Sequence, residues 1–172
     1  MHLTKEPHYC YHCGSILVDA SDNGYFREQC KNCGEVLYRQ HKVGIAAVIF
    51  QNEKLLLLRR AQEPWRGYWN LPAGFLEYEE TLEEGVIREV FEEAGLQVQV
   101  NDLRMVFKYW DDPRGNGIVL FYDCQVLHGD FIENDEVEAF QYFALNEIPT
   151  NIAGAGHQSM IDTLKKEGLR NA

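Results

Sequence analysis

The chain has 172 residues, 45% of them hydrophobic and 25% charged, and a formal net charge of −11. That length admits one ordinary domain and a small attachment. The acidic balance argues against a broad electrostatic grip on nucleic acid. It leaves room for a phosphorylated small molecule, because bound cations invert the local charge. No apolar run approaches the roughly 20 residues that cross a bilayer. The opening Met1-His2-Leu3-Thr4-Lys5-Glu6 has no apolar centre of a secretion signal, so a cytoplasmic location is expected.

Residues from about 8 to 38 are rich in Cys, Gly and Tyr. Cys10-x2-Cys13 and Cys30-x2-Cys33 are each followed by glycine (Gly14 and Gly34), which suits a tight knuckle. In a reducing compartment this spacing points to metal before disulfides. Four thiolates around one Zn2+ fill a tetrahedral site and leave no open position, so the expected role is structural. His8 and His12 flank the site without being needed as ligands. The ribbon mixes Arg27, Lys31 and Arg39 with Asp19, Asp22, Glu28 and Glu35, so it is no basic patch. Composition shifts near residue 40, which predicts a zinc ribbon over 1–40 and a larger domain over 41–172.

Gly44–Phe50 and Lys54–Arg60 are apolar runs joined by the polar turn Gln51-Asn52-Glu53 and read as a buried hairpin. A loop rich in aromatics and turn formers follows over 61–73. Thr81 and Glu84 form a capping box that starts a helix, and Gly95 suits its left-handed end. Leu96–Val100, Leu103–Trp110 and Ile118–Leu127 read as strands, the last two separated by a turn over 111–117. Phe140–Leu145 is a further short strand. A closing helix is expected from about Gly156 to Glu167, with Met160, Ile161 and Leu164 on one face and Gly168 beyond it. Strands interspersed with two helices predict an α/β sandwich with a mixed sheet. Cys124, alone in an apolar segment, reads as a small buried hydrophobe.

On a helical wheel Leu82, Val86, Ile87, Val90, Phe91 and Ala94 fall on one side. Glu89, Glu92 and Glu93 cluster on another and repel one another, a penalty a hard divalent cation would remove. Gly85 lies one turn before them, where a mid-helix glycine costs about 1 kcal/mol relative to alanine; a close approach of a loop or ligand is a reason for it. A solvated acidic face is the competing account of the glutamates.

The wider spacing bears on that choice. Gly74, five residues, Glu80, seven residues, then Arg88-Glu89-Val90-Phe91-Glu92-Glu93-Ala94-Gly95-Leu96 resembles the Nudix box at every specified position. The resemblance implies a Nudix α/β/α sandwich with mixed sheet, preceded here by the small zinc ribbon. It implies that Glu89, Glu92 and Glu93, with the backbone carbonyl of Gly74, bind Mg2+ or Mn2+. Glu80 and Arg88 would support the loop and orient the carboxylates. The implied reaction is attack of water on phosphorus, with metals polarising the phosphate. The general base varies in the family; here it is Glu92 or Glu93, or a glutamate of the distant group Glu133, Asp135, Glu136 and Glu138, among which Glu136 and Glu138 lead.

A four-cysteine ribbon before a Nudix domain is also the arrangement of NADH pyrophosphatases. Leu103–Trp110, however, lacks the Ser-Gln-Pro-Trp-Pro-Phe-Pro-type motif that follows their box. The chain is more similar to the ADP-ribose/FAD pyrophosphatases of plant chloroplasts and bacterial relatives. The likeness includes the knuckles, Leu71–Glu77, the box and Phe143–Pro149. It implies an adenine-containing nucleoside diphosphate derivative, FAD or ADP-ribose, split to AMP plus a phosphate ester. Cleavage of NADH, NAD or NAD-capped RNA, and a nucleotide-sensing module without catalysis, are the alternatives. A flat ring needs apolar surface: Trp65, Trp69, Phe107, Tyr109, Trp110 and Tyr122 are candidates, with Trp69, Tyr109 and Trp110 expected at the substrate. Arg59 is the expected phosphate contact, ahead of Arg60, Arg66 and Arg114. Relatives are often dimers, so a homodimer is a possible assembly.

Overall fold

The computed structural model describes residues 8–132 and 134–170. The opening Met1–Glu6 and the candidate base Glu133 lie outside the described residues. The chain divides into two compact units, Met1–Gln40 and His41–Ala172.

In the first unit, β1 (Leu17–Asp22), β2 (Tyr25–Cys30) and β3 (Val36–Leu37) form an antiparallel sheet in that order. Asn23 and Gly24, with φ of 50° and 81°, turn β1 into β2; two positive φ values in a two-residue loop match the twist of the flanking strands. The knuckles repeat one geometry. Gly14 N–H donates to Cys10 O at 2.8 Å and Gly34 N–H to Cys30 O at 2.9 Å, both glycines being left-handed. The core is Cys10, Leu17 and Cys30, with Leu37 packed against it. So little apolar burial cannot offset the entropy of ordering the segment without a crosslink.

In the second unit β4 (Lys42–Gln51) is the central strand. It turns into β5 (Lys54–Arg60) through Phe50↔Leu55 and Gln51↔Lys54, the expected hairpin. Beyond that turn the partners change. One edge of β4 runs parallel to β9 (Gly117–Gly129) from Lys42 to Ile49; the other edge pairs Gly44–Ala46 with β7 (Ala73–Phe75). β6 (Trp69–Asn70) joins β5, β10 (Val137–Ala144) flanks β5, and β8 (Leu96–Tyr109) flanks β9. The sheet therefore parts beside β4, between β6 and β7.

Because side chains alternate across a strand, both faces of β4 and β5 are buried and their sequences read as continuous apolar runs. Ile45, Ala47, Ile49, Leu56 and Leu58 pack with Val86, Val90 and Ala94 of α1 (Leu82–Ala94). Ala46, Val48, Leu55 and Leu57 pack with Met160, Ile161 and Leu164 of α2 (Gly154–Arg170). Helix, mixed sheet and helix make the sandwich.

The ends of α1 follow its sequence. Thr81 Oγ1 accepts from Glu84 N–H at 3.2 Å, Glu84 Oε2 accepts from Thr81 N–H at 2.9 Å, and Gly95 closes the helix at φ 69°. Three readings change. β8 is one strand where two were expected, because register shifts between Val100 and Leu103 absorb the polar Asn101-Asp102. α2 starts earlier and contains Gly168 instead of ending before it. Phe91 lies off the buried stripe and is 46% exposed, since the sheet covers only the narrower stripe of Val86, Val90 and Ala94.

Candidate active site

The loop that leads into α1 is tied down by ionic hydrogen bonds. Arg88 grips Glu80 with two nitrogens, Nε to Oε1 at 2.6 Å and Nη2 to Oε2 at 2.9 Å. The same guanidinium donates to Phe75 O at 3.0 Å and to Glu89 Oε1 at 2.8 Å. Glu80 Oε2 also accepts from Glu77 N–H at 3.1 Å. Paired charges of this geometry are stronger than neutral hydrogen bonds. They hold the Glu80 carboxyl below its usual range, and Glu80 keeps Arg88 firmly protonated.

Gly85 explains its place in the helix. A Cβ there would come within 2.9 Å of Leu76 Cδ1 and 3.0 Å of Ile45 Cδ1. The loop lies directly on the helix, as a close approach required. At Gly74 a Cβ would meet the Glu89 carboxylate at 2.0–2.2 Å, so the Glu89 side chain rests over the backbone of the box glycine.

Beside the parting of the sheet is a cavity of about 290 Å³. Glu89 and Glu93 enter from α1 and Glu136 from the segment before β10, while Arg60 and Arg114 supply positive charge to the same walls. Glu93 is 6% exposed, and its Oε2 accepts from Ala73 N–H at 2.9 Å. Burial, with repulsion from Glu89 and Glu136, outweighs that bond and pushes the carboxyl up to about 8. Burial likewise raises Glu89, against the pull of Arg88. Burial, together with the neighbouring Arg114, lowers Arg60, against the attraction of Glu93 and Glu136.

Asn134 places Glu136. Its Nδ2 donates to Glu93 O at 3.1 Å, and its Oδ1 accepts from Glu136 N–H at 3.0 Å and Val137 N–H at 3.1 Å. One side chain thus fastens the loop to the C-terminal end of α1. Glu138 faces elsewhere, 3.1 Å from Arg59 Nε and 3.8 Å from Arg66 Nε.

Of the expected metal set, Gly74, Glu89 and Glu93 line the cavity. Glu92 does not: it is exposed and its Oε2 accepts from Arg88 Nη1 at 3.0 Å. Of the expected substrate contacts, only Tyr109 lines the cavity. Trp69 is corrected to a core residue, edge-on to Phe143 at 4.9 Å, because the alternation of β6 turns it to the α2 side. Arg59 is turned away from the cavity by the alternation of β5 and pairs with Glu138; Arg60, the next residue, is the one that enters. Trp110 is 67% exposed and stacks on Phe107 at 6.2 Å, outside the lining. Trp65 lines the cavity, whereas Tyr122 is buried in the α1-side core. Asn70 and His157 also line it, and sequence reasoning missed both. No local pattern marks them, since each is placed by packing between distant segments.

The four cysteines are gathered more tightly. Their sulfurs lie within 4.8 Å of one another, with Cys10–Cys33 at 3.7 Å and Cys13–Cys30 at 3.5 Å. Disulfide sulfurs sit about 2.05 Å apart, whereas a tetrahedron with Zn–S bonds of about 2.3 Å separates its corners by about 3.8 Å. The spacing fits a zinc site. Among the described residues no other group of Cys, His, Asp or Glu ligand atoms converges this closely.

The NUDIX domain profile matches residues 40–164. An ADP-ribose pyrophosphatase of Methanocaldococcus jannaschii is 37% identical over 114 residues, 66% of this chain and 68% of that protein. An NAD-capped RNA hydrolase NudC of Chromobacterium violaceum is 31% identical over 82% of this chain and 51% of its own length. The crystal structure of a NUDIX hydrolase from Nitrosomonas europaea superposes with a TM-score of 0.77 at 32% identity, covering 91% of this chain and 88% of that one. The chain belongs to the Nudix hydrolase family, whose members generally use divalent metals and act on small nucleotides. No helix among the described residues is long and apolar enough to cross a membrane.

Proposed function

We propose that the protein hydrolyses the pyrophosphate of an adenine-containing nucleoside diphosphate derivative, ADP-ribose or FAD, to AMP and a second phosphate ester. The carrying observation is one cavity that holds Glu89, Glu93 and Glu136 together with Arg60 and Arg114, beside Gly74. The relative named ADP-ribose pyrophosphatase supports the ADP-ribose choice; FAD rests on the sequence resemblance.

The carboxylates fit Mg2+ or Mn2+. Glu93 is buried among like charges and held up to about 8, a state that a hard cation relieves by replacing the proton. Glu89, Glu93 and the Gly74 carbonyl would hold the ion, with Glu92 turning from Arg88 to join them. When bound, such an ion neutralises charge on the phosphate oxygens and acidifies water. Arg60 and Arg114 bind the remaining phosphate oxygens and orient the diphosphate. Glu136 takes the proton from the attacking water, and Asn134 holds Glu136 where it can do so. Glu80 and Arg88 keep the loop and Glu89 in register. Tyr109 and Trp65 supply aromatic surface to the cavity wall. In the ribbon, Cys10, Cys13, Cys30 and Cys33 hold a structural Zn2+.

The NudC relatives favour a second reading, cleavage of NAD or NAD-capped RNA. Purified protein with Mg2+ or Mn2+, offered ADP-ribose, FAD, NADH, NAD+ and NAD-capped RNA, separates the two. AMP released fastest from ADP-ribose or FAD is the expected result. Dominant turnover of an NAD substrate establishes the second reading, and silence across the panel defeats both.

A further inference from the structure

Among the described residues, four side chains bury a nitrogen or oxygen atom without a hydrogen-bond partner: Arg27, Arg59, Asn70 and His157. Arg27 belongs to the ribbon, and Arg59 lies 3.1 Å from the Glu138 carboxylate. The other two, Asn70 Oδ1 and His157 Nδ1, belong to residues that line the same cavity as the glutamates. Buried polar atoms are almost always paired in a folded protein. Two orphans in the wall of one cavity each lack a partner that a bound ligand can supply.

The fold brings them to one cavity from distant segments. Trp69 O accepts from Ala153 N–H at 2.8 Å and Trp69 N–H donates to Asn151 O at 2.9 Å, which stitches β6 to the chain entering α2. Asn70 follows Trp69, and His157 lies in the first turn of α2. Both side chains are held. Asn70 is 2% exposed, and its Nδ2 donates to Leu71 O at 2.9 Å, leaving Oδ1 as the free end. The His157 ring stands edge-on to Phe121 at 5.8 Å. Gly154-Ala155-Gly156, also in the lining, adds almost no side-chain bulk to the wall.

We infer that Asn70 and His157 are a specificity-determining pair that reads an uncharged hydrogen-bonding edge of the substrate, away from its phosphates. This rests on the hydrolase reading above and adds the part of the substrate that is recognised. A carboxamide oxygen only accepts, so the substrate group facing Asn70 must donate. An amino group of the base and a hydroxyl of the ribose share that chemistry. His157 presents a neutral ring, since burial and the nearby Arg60 charge push its pKa down to about 4. Neither residue brings a charge to the ligand. The phosphates are thus left to Arg60, Arg114 and the metal ligands.

The test is steady-state kinetics on Asn70→Leu, Asn70→Asp, His157→Phe and His157→Asn, with Mg2+ and three substrates: ADP-ribose, its hypoxanthine counterpart and its 2′-deoxyadenosine counterpart. Calorimetric binding of AMP and a thermal melt accompany each variant. Asn70→Leu and His157→Phe are expected to raise KM for ADP-ribose five- to tenfold, the worth of one net hydrogen bond, with kcat changed less than twofold. His157→Asn, which retains a hydrogen-bonding atom near Nδ1, recovers part of the loss, as does Asn70→Asp, which retains the acceptor. If the amino group is read, the hypoxanthine counterpart costs the wild type the same factor and costs Asn70→Leu nothing more. If the hydroxyl is read, the deoxy counterpart behaves so instead. Unchanged KM and AMP affinity in both Asn70→Leu and His157→Phe overturn the inference. If the wild type cleaves none of the three, the hydrolase reading fails on its own, and AMP binding decides the inference: equal affinity across the variants, or none in the wild type, overturns it.

Discussion

The ribbon and the glutamate cavity are both collections of metal-ligating residues, and they are organised in opposite ways. The four sulfurs already stand at tetrahedral spacing, held by two knuckles whose backbone hydrogen bonds are local. The carboxylates do not converge: Glu89 rests on Gly74, Glu93 is buried on Ala73 N–H, and Glu92 turns out to Arg88. Cysteine side chains pack readily in a small core, as Cys10 and Cys30 do. Ionised carboxylates at similar range repel, so Glu93 takes Ala73 N–H while Glu89 and Glu92 share the Arg88 guanidinium, until a cation arrives. The comparison teaches that a closed structural site can be assembled by the backbone, whereas an open catalytic site is poised by competing hydrogen bonds.

The largest effect should come from the ribbon, because structural zinc in such modules is worth on the order of 10 kcal/mol. Cys30→Ser, or a strong chelator, is expected to abolish amide protection across Leu17–Cys30 while the β4 and β9 amides keep theirs. Elemental analysis that finds no zinc in the native protein, together with unchanged protection, breaks the comparison at its first side.

Next comes Glu93→Gln. Turnover of ADP-ribose is expected to fall by about 10²- to 10³-fold, the scale for losing one electrostatic stabiliser, with no fall in the metal-free melting temperature. Glutamine imitates the protonated acid that the cavity already prefers. Full activity with Mg2+ in this variant would remove the metal role.

Glu136→Gln should lower kcat by about 10²-fold, as loss of a general base does, and Asn134→Ala by about tenfold through displacement of the same carboxylate. A kcat and pH profile unmoved in Glu136→Gln would return the base role to the box glutamates.

The smallest effect concerns acid stability. His157 sits near 4 in the fold against an ordinary 6.5, so the folded state binds its proton later than the unfolded chain. Its contribution is complete above about pH 6.5 and is lost as pH falls towards 4. The melting temperature should decline over that window in the wild type and decline less in His157→Phe; parallel profiles would place the ring in solvent.

Much of this was legible in the chain order of residues. Capping at Thr81 and Gly95, the β4–β5 hairpin and the knuckles at Gly14 and Gly34 are local, decided by hydrogen bonds a few residues long. The spacing from Gly74 to Leu96 pointed to Glu89 and Glu93, which both line the cavity, since one helix and the loop before it carry the whole motif. The substrate wall was another matter. Arg59 and Arg60 are equally cationic neighbours, and with Leu55–Leu58 buried on both faces nothing in the run says which parity faces α1. Trp69 looked like a stacking platform because it lies in an aromatic loop, yet its pairing with residues 151–153 turns it into the core.

The sequence by itself determined the family, the two candidate ligand sets and the elements that carry them, because each depends on short-range spacing and periodicity. The tertiary structure decided which groups share one cavity. Glu136 reaches it through Asn134 on the end of α1, Arg60 through the parity of β5, and Asn70 and His157 through the stitching of β6 to the start of α2. Those are contacts between segments tens of residues apart, and they are set by how two packed layers close over the parted sheet.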